Sequence, residues 1–431
     1  MEGTVDYVIT VKQHQKRLFH SLIIAEWQVE SDFLLAGMKG MMYNLSFEGR
    51  CPVMTTFYLP TRIIFGAGSF NQLGAEARRL GEKAMLITGR NSMCRTGVLD
   101  RVVEDLKNNG VDTLVFDKVL PNPRASTIDE GAGIARQEGV ELIIGMGGGS
   151  AMDTAKGIVL ASTGTKPTWD YIGTDIKVSG PVLPLILVPT MAATGSEANG
   201  GASITRWETR EKAYIFTPYM FPRVSIIDPE LTLTVPKEQT ATGGVDIFCH
   251  AVEGYITTQE PSLVNDGIIE AVLRAVVELL PRVLAKLDDI EMRTELSWAS
   301  TIACSQLIAL GGGYGPRTCH SISNFLGGYY DVAHGDCLAA ILPIWMRYTL
   351  PVKSERFRAL GRNVFDEEDG IAATEKWLEK VGRRLRLRDL GVEPEHFEEI
   401  AVSCIRTDAR TKAHPKVLDV DAIKQIYQDS Y

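Results

Sequence analysis

The chain has 431 residues, 45% of them hydrophobic and 23% charged, a globular balance that excludes disordered, collagen-like and disulfide-scaffold classes. Its length allows two or three domains with a core in each. A net charge of -9, from 45 basic and 54 acidic residues, argues against nucleic acid or an anionic membrane as partner, and no apolar run approaches the ~20 residues a bilayer span needs.

Residues 1–53 show weak periodicity and none of the glycine-anchored turns seen later, and they read as a leader or extension. Met54 then opens what reads as the true start of a domain, with a strand at Arg62–Phe65, a Gly-rich turn and a helix. Ala84–Thr88 is a continuous apolar run, as a buried parallel strand should be. Gly97–Asn108 has helical spacing, with Val98, Val102, Val103 and Leu106 on one face and Gly110 as the stop. Strand Asp112–Val119, helix Thr127–Gln137, strand Glu141–Gly145 and helix Ala151–Leu160 follow, and Val182–Pro189 adds a further core strand. Strands and helices alternating every 28–29 residues or so imply right-handed βαβ units in a parallel sheet. After Pro236 strand signals nearly vanish. The spacing predicts helices over Thr240–Thr257, Val264–Leu280 (stopped by Pro281), Ile290–Ile308 and Leu338–Tyr348. The expected architecture is an α/β Rossmann-like N-terminal domain over 54–236 and an all-helical C-terminal metal-binding domain over 237–431.

The third strand runs into GMGGGSAMDTAK, Gly145–Lys156. Gly147, Gly148 and Gly149 leave backbone N–H groups unobstructed at a helix N-terminus, where a phosphate is favoured, and Ser150 adds a hydroxyl. The competing reading is a plain tight turn with Ser150 as helix cap. The spacing is neither GxGxxG nor a Walker loop. NAD-selective sites commonly place a carboxylate on the ribose 2′-hydroxyl. Here the first strand of the repeat ends Thr88-Gly89-Arg90-Asn91-Ser92, without an acid. A small residue followed by a cation and hydroxyls suits a 2′-phosphate, so NADP(H) is favoured over NAD(H), unless Arg90 is only a solvated loop charge. The loop Pro189–Glu197 (PTMAATGSE) adds hydroxyls at a strand's carboxyl end, a weak signal by itself.

Asp246 and His250 are four apart and share a helix face, while His320 and His334 bracket HSISNFLGGYYDVAH. One aspartate and three histidines make an N3O set for Fe²⁺, Zn²⁺, Co²⁺ or Ni²⁺. Spacing alone leaves open that each histidine is a satisfied core residue and Asp246 a helix cap. Cys249 and Cys319 neighbour two of these histidines but point about 100° away on a helix, and read with Cys337 as core packing. The seven cysteines, odd in number and without a CxxC pair, read as free thiols in a reducing cytoplasm.

Taken in order, these motifs resemble the iron-containing (group III) alcohol dehydrogenases, with the NADP-linked butanol dehydrogenase type as the nearest flavour. The matches are PNP at Pro121–Pro123, GGGSxxDxAK at Gly147–Lys156, PTxxxTGSE at Pro189–Glu197, DxxxHAxE at Asp246–Glu253 and the His-x13-His segment at His320–His334. They span essentially all of 54–431. The resemblance implies a metal held by Asp246, His250, His320 and His334, with Fe²⁺ or another divalent ion, and dinucleotide phosphates on Gly147–Ser150 with Asp153 just beyond. It also implies cofactor-side roles for Thr190, Thr194, Asn122 and Lys212, a dinucleotide-selecting role for Gly89, and a dimer or larger homo-oligomer. A further histidine that many members carry four residues after the third ligand is Asn324 here, and an amide cannot shuttle a proton as an imidazole can. The implied activity is reversible oxidation of primary alcohols such as butanol. The alternatives are a glycerol or diol dehydrogenase, a 3-dehydroquinate-synthase-like cyclisation, a metal-dependent hydrolase with Glu253 as base, and a non-catalytic binder. The cyclisation needs a cationic pocket, and no clear Arg/Lys cluster accompanies His320 in the sequence.

Overall fold

The computed structural model describes residues 57–431 apart from 165, 179, 180 and 313, so the reading of residues 1–53 as a leader lies outside the described residues. Six strands form a parallel sheet: β1 (Arg62–Phe65), β2 (Lys83–Gly89), β3 (Asp112–Val119), β4 (Leu142–Gly147), β5 (Leu185–Pro189) and β8 (Val224–Ile227), in the order β1-β8-β5-β4-β2-β3. Helices α1 (Leu73–Leu80), α2 (Val98–Asn108), α3 (Ala125–Gln137) and α4 (Gly149–Thr163) connect them. Both faces of the sheet are covered. Met85, Ile87, Ile143, Leu185 and Leu187 point into one core. Ala84, Leu86, Leu142, Ile144, Ile186 and Val188 point into the other. That double burial is why these strands read as unbroken apolar runs rather than as alternating ones.

Chain direction reverses between β2 and β4: β2 leads outward to the edge strand β3, whereas β4 leads the other way to β5. Ligands of open α/β sheets bind in the crevice at the carboxyl ends of strands at such a reversal. Gly89 ends β2, Gly147 ends β4 and Pro189 ends β5, and Gly147 lies in register with Pro189. An antiparallel hairpin, β6 (Gly201–Arg206) with β7 (Glu211–Phe216), follows β5.

The remainder is helical: α5 (Lys237–Thr257), α6 (Leu263–Ala285), α7 (Ile290–Cys304), α8 (Thr318–Tyr330), α9 (His334–Leu360), α10 (Gly370–Lys380), α11 (Phe397–Thr407) and α12 (Val420–Asp429). They enclose a separate core that includes Phe248, Tyr255, Trp345 and Tyr427. Three expected helix ends need correction. Helix α7 stops at Cys304 rather than Ile308, with a separate 3₁₀ segment over Gln306–Gly312. Pro281 does not stop α6, which runs one turn further to Ala285. Burial of Val283 and Leu284 in the helical core outweighs the one backbone hydrogen bond the proline removes. Helix α9 likewise continues far past Tyr348, carrying Pro343 and Pro351 and breaking its regular dihedrals only at Lys353. Cys249, Cys319 and Cys337 are fully buried in the helical core. None of the helices among the described residues is long and apolar enough to cross a membrane.

Candidate metal and dinucleotide site

Three elements bring four side chains together. Asp246 and His250 lie one turn apart on α5, His320 lies in the first turn of α8, and His334 opens α9. Gly335 makes the last placement possible. A Cβ there would lie 2.4 Å from the carbonyl of Thr242 on α5, so only glycine lets α9 begin this close. Thr242 Oγ1 also donates to Asp336 Oδ1 at 2.7 Å, which pins the start of α9 to α5.

Around Asp246 Oδ1 stand His250 Nε2 at 3.4 Å, His320 Nε2 at 3.5 Å and His334 Nε2 at 3.7 Å. Asp246, His320 and His334 offer ligand atoms that all lie within 4.8 Å of one another, and His250 stands at the edge of that group. Asp246 Oδ1, His320 Nε2 and His334 Nδ1 are buried and have no hydrogen-bond partner. Buried polar atoms are ordinarily paired. An unpaired buried carboxylate oxygen with imidazole nitrogens of three histidines within 3.7 Å is the chemistry of a divalent-cation site, and these residues fit that group. Burial pushes the pKa values of His250 and His334 well below the ordinary imidazole range, and neighbouring cations add to it, so both rings are kept in the neutral form a metal requires.

His320 differs. Glu253, wholly buried one turn beyond His250 on α5, accepts from His320 Nδ1 and, through Oε2, from the His320 backbone N–H at 3.1 Å. Burial works against a charge on His320, but the Glu253 and Asp246 carboxylates outweigh it and hold its pKa above the ordinary value. With Nδ1–H committed to Glu253, Nε2 is the atom left for a metal. Glu253 was legible only as a possible base. Its contacts here make it the residue that orients a ligand.

The sequence offers no clear Arg/Lys cluster around His320, yet one cation does reach the site. Arg317, three residues earlier, sets Nη1 2.6 Å from His250 Nδ1 and 3.5 Å from Cys304 Sγ. A guanidinium can only donate, so His250 Nδ1 is an acceptor in this arrangement. The signal missing from the sequence is long-range: Arg317 reaches back to a helix 67 positions upstream.

The predicted dinucleotide residues gather at the sheet's carboxyl edge. Gly148 is the N-cap of α4 and no side chain caps that end, so the amides of Gly149 and Ser150 stay available to an anion and Ser150 is not the cap. The loop is glycine because it abuts the next one: a Cβ on Gly149 would lie 2.6 Å from Thr194 Cγ2. Thr190 is held by its N–H donating to Gly147 O at 3.0 Å. Asp153 faces inward, accepting from Ser196 Oγ at 2.7 Å and Ser203 N at 2.8 Å. Lys156, beside it, is fully buried and donates to Ser196 O, Ser196 Oγ, Asn199 Oδ1 and Gly201 O at 2.6–3.0 Å. It ties the TGSE loop to β6. Lys212 Nζ donates to Asn122 Oδ1 at 3.0 Å, Asn122 Nδ2 donates to Asp331 Oδ1 at 2.9 Å, and Asp331 pairs with Arg124 at 2.8 Å. This chain leads from the PNP turn to the loop just before His334. Gly89 is half-buried, Arg90 is exposed, and nothing lies within 4 Å of a Cβ built on Gly89. Asn324 is buried one turn after His320, and its Oδ1 is unpaired.

The family model described as "Iron-containing alcohol dehydrogenase" matches residues 60–229, and that of the "Fe-containing alcohol dehydrogenase family, C-terminal" matches 240–431. The chain belongs to the iron-containing alcohol dehydrogenases. It is 33% identical to "NADH-dependent butanol dehydrogenase A" of Clostridium acetobutylicum over 386 residues, 87% of this chain and 99% of that one. It is 35% identical to "NADH-dependent butanol dehydrogenase B" of the same organism, covering 87% and 98%. The crystal structure of an NADH-dependent butanol dehydrogenase A from Thermotoga maritima superposes with a TM-score of 0.83 at 32% identity, covering 88% of this chain and 99% of that one. The parallel sheet followed by a helical part is the fold of that group, and the chain is an oxidoreductase of the alcohol dehydrogenase type.

Proposed function

We propose that this alcohol dehydrogenase interconverts primary alcohols, with butanol as type substrate, and their aldehydes, using a divalent metal held by Asp246, His250, His320 and His334 and a dinucleotide on the Gly147–Ser150 loop. The single observation that carries this reading is the unpaired Asp246 Oδ1 facing three imidazoles. When bound, the metal supplies Lewis acidity that favours the deprotonated alcohol or polarises the carbonyl, and the nicotinamide accepts or returns the hydride. The chain's own part is positional. Glu253 fixes the His320 tautomer, Gly335 sets His334 against α5, and the α4 N-terminus receives phosphate. The Lys212–Asn122–Asp331–Arg124 chain holds the PNP turn to the loop that carries His334. Asn324, without a titratable group, leaves the alcohol proton to water or the cofactor's ribose hydroxyl.

The dinucleotide we favour is NADP(H), although the relatives named above are described as NADH-dependent. The open, acid-free end of β2 and the exposed Arg90 support it, because a 2′-phosphate fits where a carboxylate would repel it. The experiment is NAD(P)H consumption with butanal on protein reconstituted with Fe²⁺ or Zn²⁺, before and after chelation. Loss of turnover on chelation and recovery on metal return is expected. Equal rates after complete metal removal would sink the reading.

A further inference from the structure

Two buried carboxylates have no part in the chemistry above. Glu197 closes the PTMAATGSE loop and Asp228 follows β8, and they are 2% and 1% exposed. Among the described residues, both are held by neutral donors only. Asp228 caps the short helical turn that follows it, accepting from Glu230 N at Oδ1 and from Phe70 N at Oδ2, both at 3.0 Å. Glu197 Oε1 accepts from Thr301 Oγ1 of α7 at 2.7 Å. The buried cations nearby are bound to other oxygens. Lys156 donates to Ser196, Asn199 and Gly201. Arg293 of α7 donates to Leu287 O, Thr240 Oγ1 and Val235 O. A carboxylate oxygen that takes one donor keeps a further lone pair. Buried charges are ordinarily paired or bound to a metal ion.

Glu197 and Asp228 line one cavity at the carboxyl edge of β5 and β8. Its volume of about 10 Å³ is the room of a single water-sized particle. Thr232 and, from α7, Ser297 and Ser300 complete its polar lining. Ser297 is 3% exposed, and its Oγ is buried with no hydrogen-bond partner. No imidazole or thiol lines the space, so its chemistry is that of a hard, oxygen-seeking cation. Burial holds the Glu197 pKa above the ordinary carboxylate value, which disfavours a second full negative charge here, and one positive charge balances the pair. A water molecule would fill the volume and leave that charge unbalanced. Mg²⁺ keeps several of its own waters, for which there is no room. Potassium, with a radius close to that of water, needs none.

We propose that this cavity is a monovalent-cation site, filled by K⁺ between Glu197 and Asp228 with the Ser297 hydroxyl as a further ligand. The ion ties the loop that carries Thr190 and Thr194 to β8 and α7. Its effect is on the stability of that loop's support, whichever alcohol or dinucleotide the enzyme uses.

Thermal unfolding of the Zn²⁺-loaded wild type is compared in KCl, NaCl and tetramethylammonium chloride at equal ionic strength. Crystals of the same protein are grown with Tl⁺ in place of K⁺, so that anomalous scattering marks the ion. KCl should raise the unfolding midpoint by about 2–4 °C over tetramethylammonium chloride, with NaCl between them. A Tl⁺ peak should lie between Glu197 and Asp228. Glu197→Gln keeps an acceptor for Thr301 Oγ1 but loses the charge, and Ser297→Ala removes one ligand from a helix surface with little risk to folding. Each should weaken the apparent K⁺ affinity, read from the midpoint against concentration, by about 10-fold or more. Equal midpoints in K⁺ and tetramethylammonium overturn the proposal, as does a cavity holding a water only in the Tl⁺ crystals. A K⁺ effect that survives unchanged in Ser297→Ala and Glu197→Gln puts the ion elsewhere and overturns it too. So does a Tl⁺ peak that Ca²⁺ displaces and K⁺ does not.

Discussion

Replacing Glu253 by glutamine tests the metal centre without touching a ligand. The carboxylate receives two donors, His320 Nδ1–H and the His320 backbone N–H. Glutamine has the same shape but one acceptor and one donor at its tip. If its oxygen faces Nδ1–H, its NH₂ opposes the backbone N–H. If it flips, the imidazole must accept at Nδ1 and carry its proton on Nε2, the atom aimed at Asp246. Either arrangement loses: a buried donor without a partner costs about 1–3 kcal/mol, and the second also blocks ligation. Metal affinity should therefore fall by about 10–100-fold, the usual range for losing such a support. The assay is competition for Zn²⁺ or Co²⁺ against a chromophoric chelator, with thermal unfolding of the metal-free proteins as the control for folding. A folded Glu253→Gln protein that binds metal within twofold of wild type would refute the reasoning.

Gly89→Asp has room for its side chain and should move the kcat/KM preference from NADPH toward NADH; an unchanged ratio means the adenosine ribose lies elsewhere. Lys156→Met should lower stability by about 3–5 kcal/mol in urea unfolding, since it removes the buried ammonium that gathers Ser196 O, Asn199 Oδ1 and Gly201 O and that favours the buried Asp153 carboxylate. A loss under about 1 kcal/mol would show the site rewetting freely. Metal affinity should climb with pH through the window above 6.5, because the metal-free fold keeps His320 protonated beyond its ordinary value and the ion must displace that proton. The proton's own stabilising effect on the metal-free fold is present at low pH and lost as pH rises through the raised pKa. A flat affinity between about pH 6 and 8 would contradict this.

The parallel strands were readable because burial on both faces leaves no polar positions, so Ala84–Thr88 and Glu141–Gly145 stand out within two residues of their true ends. The hairpin Gly201–Phe216 was not. Its turn puts Arg210 at φ 54°, a left-handed position held by a residue that carries no turn signature. Strand β8 is only four residues, VSII, with the Ser225 hydroxyl donating to Glu197 O, and a run that short is ambiguous by periodicity. At the site, spacing put Asp246 and His250 on one helix face, where α5 carries them, but left their role open. Arg317 was not legible, because nothing near it in sequence says that it meets His250. The chemistry of Glu253 was visible only as an acid in a motif; its partner is set by how α5 packs beside α8.

The gathering of imidazoles from α5, α8 and α9 around one oxygen also bears on how long the protein lasts. Each of these helices lends a polar group to one largely buried point, where a bound divalent ion would satisfy them together. Occupancy of that point should set the population of open forms, by ordinary mass action on the native state. Scarcity of the ion would then show first as faster proteolysis within the helical half, so the supply of a micronutrient would govern not only how fast each molecule works but how many survive.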